Sequence, residues 1–248
     1  MKMWKSWGLV MAVLFAGCGG LAEQEPSQQE TRAQTPPEQE ENTPAEPSDE
    51  DIEAQWNTRY QLVYSENFGK GVAGPEWSIP RTAVAPNGTR RFLGPYNQTE
   101  LGLHLKDLPE HDHIKLSFEL FVIGTWDGNS PSCCGPDRWM AWVDGGPVLL
   151  DTTFSNDDAP FDPEFYQAYP GSYPGGSYPG LTGAKEKGTL GYPDESGYIG
   201  VGDSIYKLTF TFPHSGSTLD LRFADPPRPD ANELWGLDCV RVKVGTTP

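Results

Sequence analysis

Basic side chains are scarce in this sequence. Its 248 residues include 18 Lys and Arg against 35 Asp and Glu, which gives a net charge of −17 at pH 7. A protein with this charge repels the phosphate backbone of nucleic acids and gains no free energy from counterion release. We therefore predict that it has no nucleic-acid partner.

Motifs with a fixed spacing are also missing. The four cysteines contain no CxxC pair, so a zinc site of that kind is not predicted. There is no glycine-rich phosphate loop, and no stretch of eleven or more residues has the apolar period of an α-helix. The segment His111-Asp-His113 has metal-binding side chains, but it lies at a predicted turn, where an exposed polar loop is the simpler interpretation.

A short apolar stretch stands near the start of the chain. Lys2 and Lys5 precede it, it runs from Trp7 to Phe15, and Ala16-Gly17-Cys18 follows. It is shorter than the roughly 20 residues that a membrane-spanning helix needs. Because charged residues precede it and small residues lead to a cysteine, it resembles the signal of bacterial lipoproteins.

This resemblance implies that residues 1–17 are a signal peptide and that Cys18 is acylated, with palmitate among its acyl chains. The lipid bilayer is then a partner, bound through Cys18. Gly19, rather than Asp, after the cysteine favours the outer membrane of a bacterial cell envelope. Phe15 stands where such signals usually carry Leu, and an ordinary secretory signal is the alternative.

The segment from 18 to 55 is an acidic linker. It is built from Glu, Gln, Pro, Ser and Thr, and Arg32 is its one basic residue. Such a composition cannot bury a core, so we predict a disordered tether that its own charge extends. A plain spacer is the simpler interpretation of its role, and an acidic tail that binds a basic partner is the alternative.

Apolar and polar residues alternate through much of the segment from 56 to 248, which we predict to be one domain. The period of two is typical of half-buried strands, and it predicts an all-β fold. Two packed antiparallel sheets, a β-sandwich, would bury one face of each strand and leave the other in water. The predicted strands lie at about 60–65, 99–107, 113–123, 138–143, 147–154, 204–212, 217–223 and 236–244.

Several motifs in this domain resemble those of jelly-roll β-sandwiches in exported bacterial proteins, of the concanavalin-like or carbohydrate-binding-module type. The resemblance implies that the first and last strands lie side by side. It covers nearly all of residues 60–244 but does not define an activity, because this fold serves many functions. The motifs are Tyr64–Phe68, Trp77, Gly124–Asn129, Gly135–Trp139, Leu150–Asn156 and Trp235–Val242.

The same resemblance implies a structural calcium ion held by Glu66 of the first strand and Asp238 of the last. Alternation bears on Asp238 independently, because Asp238 shares a predicted face with Val240 and Val242 and should point inward. A buried carboxylate is costly without a partner. Either a cation or an arginine should therefore satisfy Asp238.

A tyrosine repeat and a tryptophan are the candidate ligand-binding residues. Tyr169, Tyr173 and Tyr178 recur in a Tyr-Pro-Gly repeat, and Trp126 lies in another predicted loop. Flat aromatic faces suit stacking on sugar rings. The alternative for the repeat is a flexible insertion, since Pro and Gly oppose regular structure. Trp139 and Trp142 are three residues apart in a predicted strand, so they face opposite ways and one of them should be core.

No catalytic constellation stands out. Glu119 and Asp220 are weak candidates, because both alternate onto polar strand faces where two carboxylates across a concave sheet can cleave a glycosidic bond. Solvated sheet residues are the simpler interpretation. Among the cysteines, Cys239 is predicted to pair with Cys133 or Cys134, and a vicinal bridge between Cys133 and Cys134 is the alternative.

Taken together, these patterns predict a membrane-anchored extracytoplasmic module that binds a glycan or a surface protein and is not an enzyme. A hydrolase or lyase acting on polysaccharides is the alternative from another class. A purely structural envelope lipoprotein is the third.

Overall fold

The computed structural model describes residues 59–130, 135–158, 162–194, 200–227 and 232–246. Within these ranges no helix combines the length and the hydropathy that crossing a membrane requires. In the described part of the chain, one 3-10 helix, Pro163–Phe165, accompanies eleven strands. The strands are β1 Arg59–Glu66, β2 Thr82–Val84, β3 Arg91–Tyr96, β4 Glu100–Leu105, β5 His113–Ile123, β6 Arg138–Val143, β7 Val148–Thr153, β8 Glu186–Lys187, β9 Asp203–Pro213, β10 Leu219–Ala224 and β11 Leu234–Thr246.

The strands form two antiparallel sheets. In the larger sheet of seven strands the order is β2-β3-β11-β5-β9-β8, and β1 also pairs with β11. The smaller sheet has four strands in the order β4-β10-β6-β7. The predicted all-β, two-sheet antiparallel β-sandwich is confirmed.

The core lies between the sheets, where the alternation predicted it. Alternate residues of β5 and β10 are buried in one apolar cluster with residues of β6 and β11. Its centre is aromatic: the Trp139 ring lies 6.1 Å from Phe223 and 5.8 Å from Trp235, and Phe118 lies 5.4 Å from Phe223. Large rings in such offset and edge contacts contribute much of the burial energy of a core.

A second, smaller apolar cluster covers the outer face of the seven-stranded sheet. Phe121 and Ile123 alternate outward from β5, and segments before β3 and β9 fold over them. In the described ranges the four-stranded sheet has no second cluster of this kind. The members of the smaller cluster are Ala85, Phe92, Phe121, Ile123, Leu190 and Ile205.

A β-bulge in β11 changes which residues face the core. Its register against β5 shifts between Asp238 and Arg241, and Cys239 there has a φ of 51°. Leu237 and Val240 are therefore both core residues, although they are three apart. The expectation that Asp238 shares the inward face with Val240 is wrong, because the extra residue reverses the alternation.

The first and last strands are neighbours, as the resemblance implied. Arg59 pairs with Thr246 and Glu66 with Val240, in antiparallel register. The two ends of the described domain therefore lie side by side, at one end of the β1–β11 pair.

Candidate functional site

The outer face of the four-stranded sheet is open and carries aromatic, apolar and charged side chains. On β6, Trp139, Ala141 and Val143 are buried, while the residues between them are only half-buried. We call the resulting surface the outer platform. It consists of Arg138, Met140, Trp142, Val148, Tyr173 and Arg222.

Trp142 lies at the middle of the outer platform. Its cross-strand neighbours are Val148 on β7, which is 62% exposed, and Arg222 on β10. Arg222 is held in turn by Asp144, whose Oδ2 lies 3.0 Å from Nη2. A half-buried indole beside a guanidinium presents an apolar ring face with hydrogen-bond donors at its edge.

Arg138 and Tyr173 extend this surface along the sheet. The Arg138 guanidinium makes hydrogen bonds to both oxygens of Asp151, with Nη2 2.7 Å from Oδ2 and Nε 3.1 Å from Oδ1. The Tyr173 ring lies 5.3 Å from the guanidinium carbon, a cation–π distance. The Tyr173 N–H donates to the Asp151 carbonyl at 2.9 Å, so the second tyrosine of the repeat is fixed to β7.

The tyrosine repeat is an ordered loop, organised by the buried Gln167. Its Oε1 accepts from the N–H groups of Ser155 and Leu181, and its Nε2 donates to the carbonyls of Tyr169 and Thr182. Its backbone N–H and carbonyl also pair with Tyr178 at 2.8 Å each. These bonds hold the repeat in one conformation, unlike the flexible insertion that the sequence offered as an alternative, because one side chain satisfies several backbone groups.

The predicted aromatic residues divide into two groups. Trp126 is 1% exposed, and its Nε1 donates to the carbonyls of Ile123 and Leu234, so its prediction as a ligand-binding residue is wrong. Tyr169 packs against the core with its ring 5.1 Å from Phe154, and burial raises its pKa, so it does not present a free ring face either. Tyr178 is 39% exposed, and Tyr173 lies on the outer platform.

The sequence did not predict that the residues of the outer platform form one surface. Of Trp139 and Trp142, the structure buries the first in the core and places the second outside. The alternation of Trp139, Ala141 and Val143 was the available signal, since three apolar residues at a period of two leave Trp142 facing away.

The structure does not bring the two candidate catalytic carboxylates together. Glu119 is on β5 of the seven-stranded sheet, and Asp220 is on β10 of the four-stranded sheet. Each alternates away from the core, so the two lie on opposite outer faces. Asp220 pairs there with His104, 2.5 Å away. The expectation that they face each other across one sheet is wrong.

Glu119 belongs to an ion-pair cluster with Asp238, Arg90 and Lys185. Arg90 Nη2 contacts Glu119 and lies 2.9 Å from Asp238 Oδ2, while Lys185 Nζ lies 2.6 Å from Glu119 Oε1. Burial acts to raise the pKa of Glu119, but hydrogen bonds from Lys185 and Arg90 outweigh it and lower the pKa. Burial raises the pKa of Asp238, and Arg90 only partly offsets this because the Glu119 charge is also near. Arg90 is the arginine partner that the sequence left open for Asp238.

Glu66, the other predicted calcium ligand, turns back onto its own loop. Its Oε1 accepts from the N–H groups of Asn67 and Phe68 at 3.0 and 2.9 Å. Among the described residues two groups bring three metal-ligand atoms within 4.8 Å of one another, and neither includes Glu66. One group is Glu119, Asp238 and Cys239. The other is Asp127, Asp137 and Glu233.

The second group contains only carboxylates. Asp137 and Glu233 are 0% and 1% exposed, and Asp127 is half-buried. The Asp127 N–H donates to Asp137, and the Asp137 N–H donates to the Gly128 carbonyl at 2.8 Å. Hard oxygen donors in this arrangement could form a site for a hard cation such as calcium. Both aspartates fall in motifs noted in the sequence, but Glu233 is about a hundred residues away, so the group was not foreseen.

The cysteine predictions remain largely untested. Cys18, Cys133 and Cys134 lie outside the described residues. Cys239 is half-buried, and burial together with the Asp238 and Glu119 carboxylates raises the pKa of its thiol. Its predicted disulfide stays a prediction.

A groove of about 430 Å³ lies at the β4 edge of the smaller sheet. Tyr64, Glu76, His104 and Lys106 contribute to its lining. The Tyr64 hydroxyl accepts from Trp77 Nε1 at 2.7 Å, and burial raises the Tyr64 pKa to about 12. The groove therefore offers mixed polar and aromatic walls but no activated nucleophile.

No protein-family model matches the sequence, and no curated protein matches it. Three solved structures show limited similarity. Dimeric latent PorU from Porphyromonas gingivalis matches with 8% identity and a TM-score of 0.39 over 77% of this chain, which spans only 13% of PorU. The C-terminal CBM6 of LamC, a marine laminarinase from Zobellia galactanivorans, matches with 11% identity and a TM-score of 0.30 over 75% of this chain and 98% of the module.

The third is CBM27-1 of Caldicellulosiruptor saccharolyticus in complex with mannohexaose. It matches with 14% identity and a TM-score of 0.32, over 74% of this chain and 96% of that module. Two of the three are thus carbohydrate-binding modules. TM-scores in this range do not establish a shared fold, and the β-sandwich described above rests on its own strand pairing.

Proposed function

We propose that this protein is an extracytoplasmic glycan-binding module, anchored to a membrane through an acylated Cys18. The observation that carries the proposal is the outer platform, where Trp142 and Tyr173 lie beside ion-paired arginines on an open sheet face. Sugar rings present C–H faces edged by hydroxyls, so they suit an aromatic ring flanked by fixed donors and acceptors.

The charges of the outer platform favour a neutral glycan over a charged ligand. Arg138 is paired with Asp151, and Arg222 with Asp144. Paired groups of this kind keep free donor and acceptor positions for hydroxyls but have little net charge. Their geometry is also set before binding, which lowers the entropy that a ligand must overcome.

The polysaccharide hydrolase or lyase is the weaker alternative. Its two candidate carboxylates lie on opposite outer faces, and a cleavage pair needs them roughly 5–10 Å apart around one sugar. The lowered pKa of Glu119 also keeps that group ionised and ion-paired, which does not suit a general acid.

A glycan array probed with the purified protein tests the proposal. We expect binding to a neutral polysaccharide that falls at least about tenfold in Trp142→Ala, equivalent to about 1.4 kcal/mol. Leu62→Ala is the matched control, because Leu62 is 52% exposed but lies on β1 of the other sheet. Equal binding by both variants would mean that the glycan binds elsewhere than on the outer platform. Absence of any binding would favour the surface-protein or structural envelope alternatives.

The anchor is tested separately. Bacteria expressing the protein are grown with radioactive palmitate, and their membrane and soluble fractions are compared with those of Cys18→Ala. We expect label and membrane association that the variant loses. A wild-type protein that is unlabelled and soluble would indicate an ordinary secretory signal instead.

A structural calcium ion is the last part of the proposal. Asp127, Asp137 and Glu233 supply the oxygen donors that calcium prefers, with one carboxylate oxygen of each within 4.8 Å of the others. The ion would tie the segments around β6 and the start of β11 together, with no part in chemistry.

Thermal unfolding with calcium and with chelator tests this site. We expect calcium to raise the Tm by several degrees in the wild type and not in Asp137→Asn. Asp144→Asn, in the exposed β6–β7 turn, is the control. If the rise is lost instead in Glu66→Ala, the ion belongs to the site that the family resemblance implied. If calcium has no effect on the wild type, the protein has no structural calcium.

A further inference from the structure

Four basic side chains lie together on the outer face of the seven-stranded sheet, beyond the end that the small apolar cluster and the Arg90 ion pairs cover. Lys115 and Lys243 are directly opposite each other on β5 and β11. Arg241 stands two positions before Lys243 on β11, and Lys207 lies on β9, which also pairs with β5. Core residues flank each of the four on its own strand, so all four point outward. We call this surface the basic patch, and it consists of Lys115, Lys207, Arg241 and Lys243.

The cations of the basic patch repel one another. Residues directly opposite on paired strands have Cβ atoms about 4.5–5.5 Å apart, and like charges there are destabilising, as for Lys115 and Lys243. In the next row across the strands, Arg241 is followed by Ser117 and Thr209, whose side chains carry no charge. A run of anions laid across these rows would therefore be attracted by β5, β9 and β11 together.

The chain carries its own run of anions close to this surface. Residues 49–53 read Asp-Glu-Asp-Ile-Glu, and this run ends six residues before Arg59, where β1 starts. Tyr60 borders the basic patch, because Lys115 Nζ lies 5.6 Å from the centre of its ring. Six extended residues span up to ~20 Å. The distance from β1 across β11 and β5 to β9 is only about 15 Å, so the run can reach the whole patch.

We propose that residues 49–53 of the acidic linker dock on the basic patch of the same chain. The four carboxylates of this run match the four cations of the patch in number. Because the run is joined to β1, its effective concentration at the patch is high, so ion pairs that are weak singly can hold it together. Ile52 within the run would also cover Leu62, which is 52% exposed and lies opposite Lys243.

Charge and position favour this occupant over a separate anionic surface. The net charge of −17 opposes the approach of an anionic membrane or polysaccharide to the molecule, whereas the linker is held beside the patch by its covalent bond to β1. The basic patch and the outer platform lie on different sheets, so docking leaves Trp142 open. Docking would shorten the free part of the linker and direct the outer platform away from it.

Carbodiimide cross-linking of the purified full chain, followed by mass spectrometry, tests the contact, because this reagent joins a carboxylate only to an amine that touches it. We expect cross-links from residues 49–53 to Lys207 and Lys243, at least about fivefold weaker in 1 M salt, where the Debye length is about 3 Å. Lys106, exposed at the β4 edge of the other sheet, is the control and should give none. A mixture of unlabelled and nitrogen-15 protein separates the two sources of a cross-link. Cross-links mainly between copies, or equal yields on Lys106, would overturn the proposal.

Backbone NMR of the full chain gives a second readout, at the amides of Ser117 and Thr209 between the cations. Neutralising the run should shift both amides, while removing four carboxylates further upstream should not. The run is neutralised by Asp49→Asn, Glu50→Gln, Asp51→Asn and Glu53→Gln, and the matched control is Glu23→Gln, Glu25→Gln, Glu30→Gln and Glu38→Gln. Equal shifts in the two variants, or none in either, would contradict docking by residues 49–53. If the two amides respond to phosphatidylglycerol vesicles and not to the neutralisation, the basic patch is a lipid site and the proposal is wrong.

Discussion

The two outer faces of the sandwich differ in how far their outward side chains are covered. On the seven-stranded sheet, a small apolar cluster and the Arg90 ion pairs close the face over Glu119 and Asp238, which are 7% and 4% exposed. On the four-stranded sheet, the outer platform stays open, with Trp142 half-buried and Val148 62% exposed.

The difference shows that strand alternation assigns a residue to a face but does not say whether that face is covered. Both faces carry charged residues at the outward positions of a period-two pattern. Arg90, outside any strand, decides the outcome for the larger sheet because its guanidinium forms ion pairs with two carboxylates from different strands. Loss of one partner from the covered ion pairs would leave a buried charge uncompensated, whereas the side chains of the open face stay in contact with solvent.

Removing the guanidinium that closes the first face should have the largest effect. Arg90→Ala leaves Glu119 and Asp238 beside each other with only Lys185 to compensate, so we expect a loss of about 3 to 5 kcal/mol in the free energy of unfolding. Urea unfolding measures it.

Arg222→Ala is the matched arginine on the open face. Its ion pairs with Asp144 and Glu100 are solvent-exposed, and we expect a loss of about 1 kcal/mol or less. Equal losses in the two variants would mean that the two faces do not differ in how they use charge.

Substitution of Cys239, in the β11 bulge that turns Asp238 outward, should have an intermediate effect on the free energy of unfolding. Cys239 has a φ of 51°, a conformation that β-branched residues strongly disfavour. Cys239→Val should cost about 1 to 3 kcal/mol in urea unfolding under reducing conditions, while Cys239→Gly should be close to neutral. If valine and glycine behave alike, the bulge is not the device that fixes Asp238 on the closed face.

The smallest expected effect is on the pH dependence of the free energy of unfolding. The pKa of Glu119 is lower in the folded state than in the unfolded state. The ionised carboxylate therefore adds to the free energy of unfolding above its unfolded pKa of about 4.3, and this stabilisation is lost as the pH falls below that value. Asp238 acts in the opposite direction, since its folded pKa is raised and its protonation favours the folded state.

Urea unfolding between about pH 6 and about pH 3 should therefore show a steeper loss of stability in the wild type than in Glu119→Gln. Glu110→Gln, at an exposed carboxylate in the β4–β5 turn, should follow the wild type. Parallel pH curves for Glu119→Gln and the wild type would mean that the closed face gains nothing from this charge.

The sequence predicted the sandwich because its signal is local. All eight predicted strands exist, since residues two apart such as Leu219 and Leu221 reveal a buried face without knowledge of the partner strand. The strands β2, β3 and β8 were missed. Two of them have only two or three residues, and β3 contains Gly94 and Pro95, which oppose a strand prediction.

The site was less predictable because its geometry depends on distant segments. A bulge is invisible in a pattern of alternating residues, so Asp238 was placed on the wrong face. Glu119 and Asp220 looked equivalent along the chain, and only the strand order separates them. Trp126 looked like a loop residue, but the carbonyls of Ile123 and Leu234 hold its indole inside.

The pairing of β1 with β11 has a mechanical consequence. Arg59 lies opposite Thr246, so a pull that separates these two ends loads the inter-strand hydrogen bonds one after another, like a zipper. A pull between Arg59 and a ligand on the four-stranded sheet would instead pass through the core between the two sheets. The domain should therefore resist force much better when it is held at its start and at a bound ligand than when it is held at its two ends.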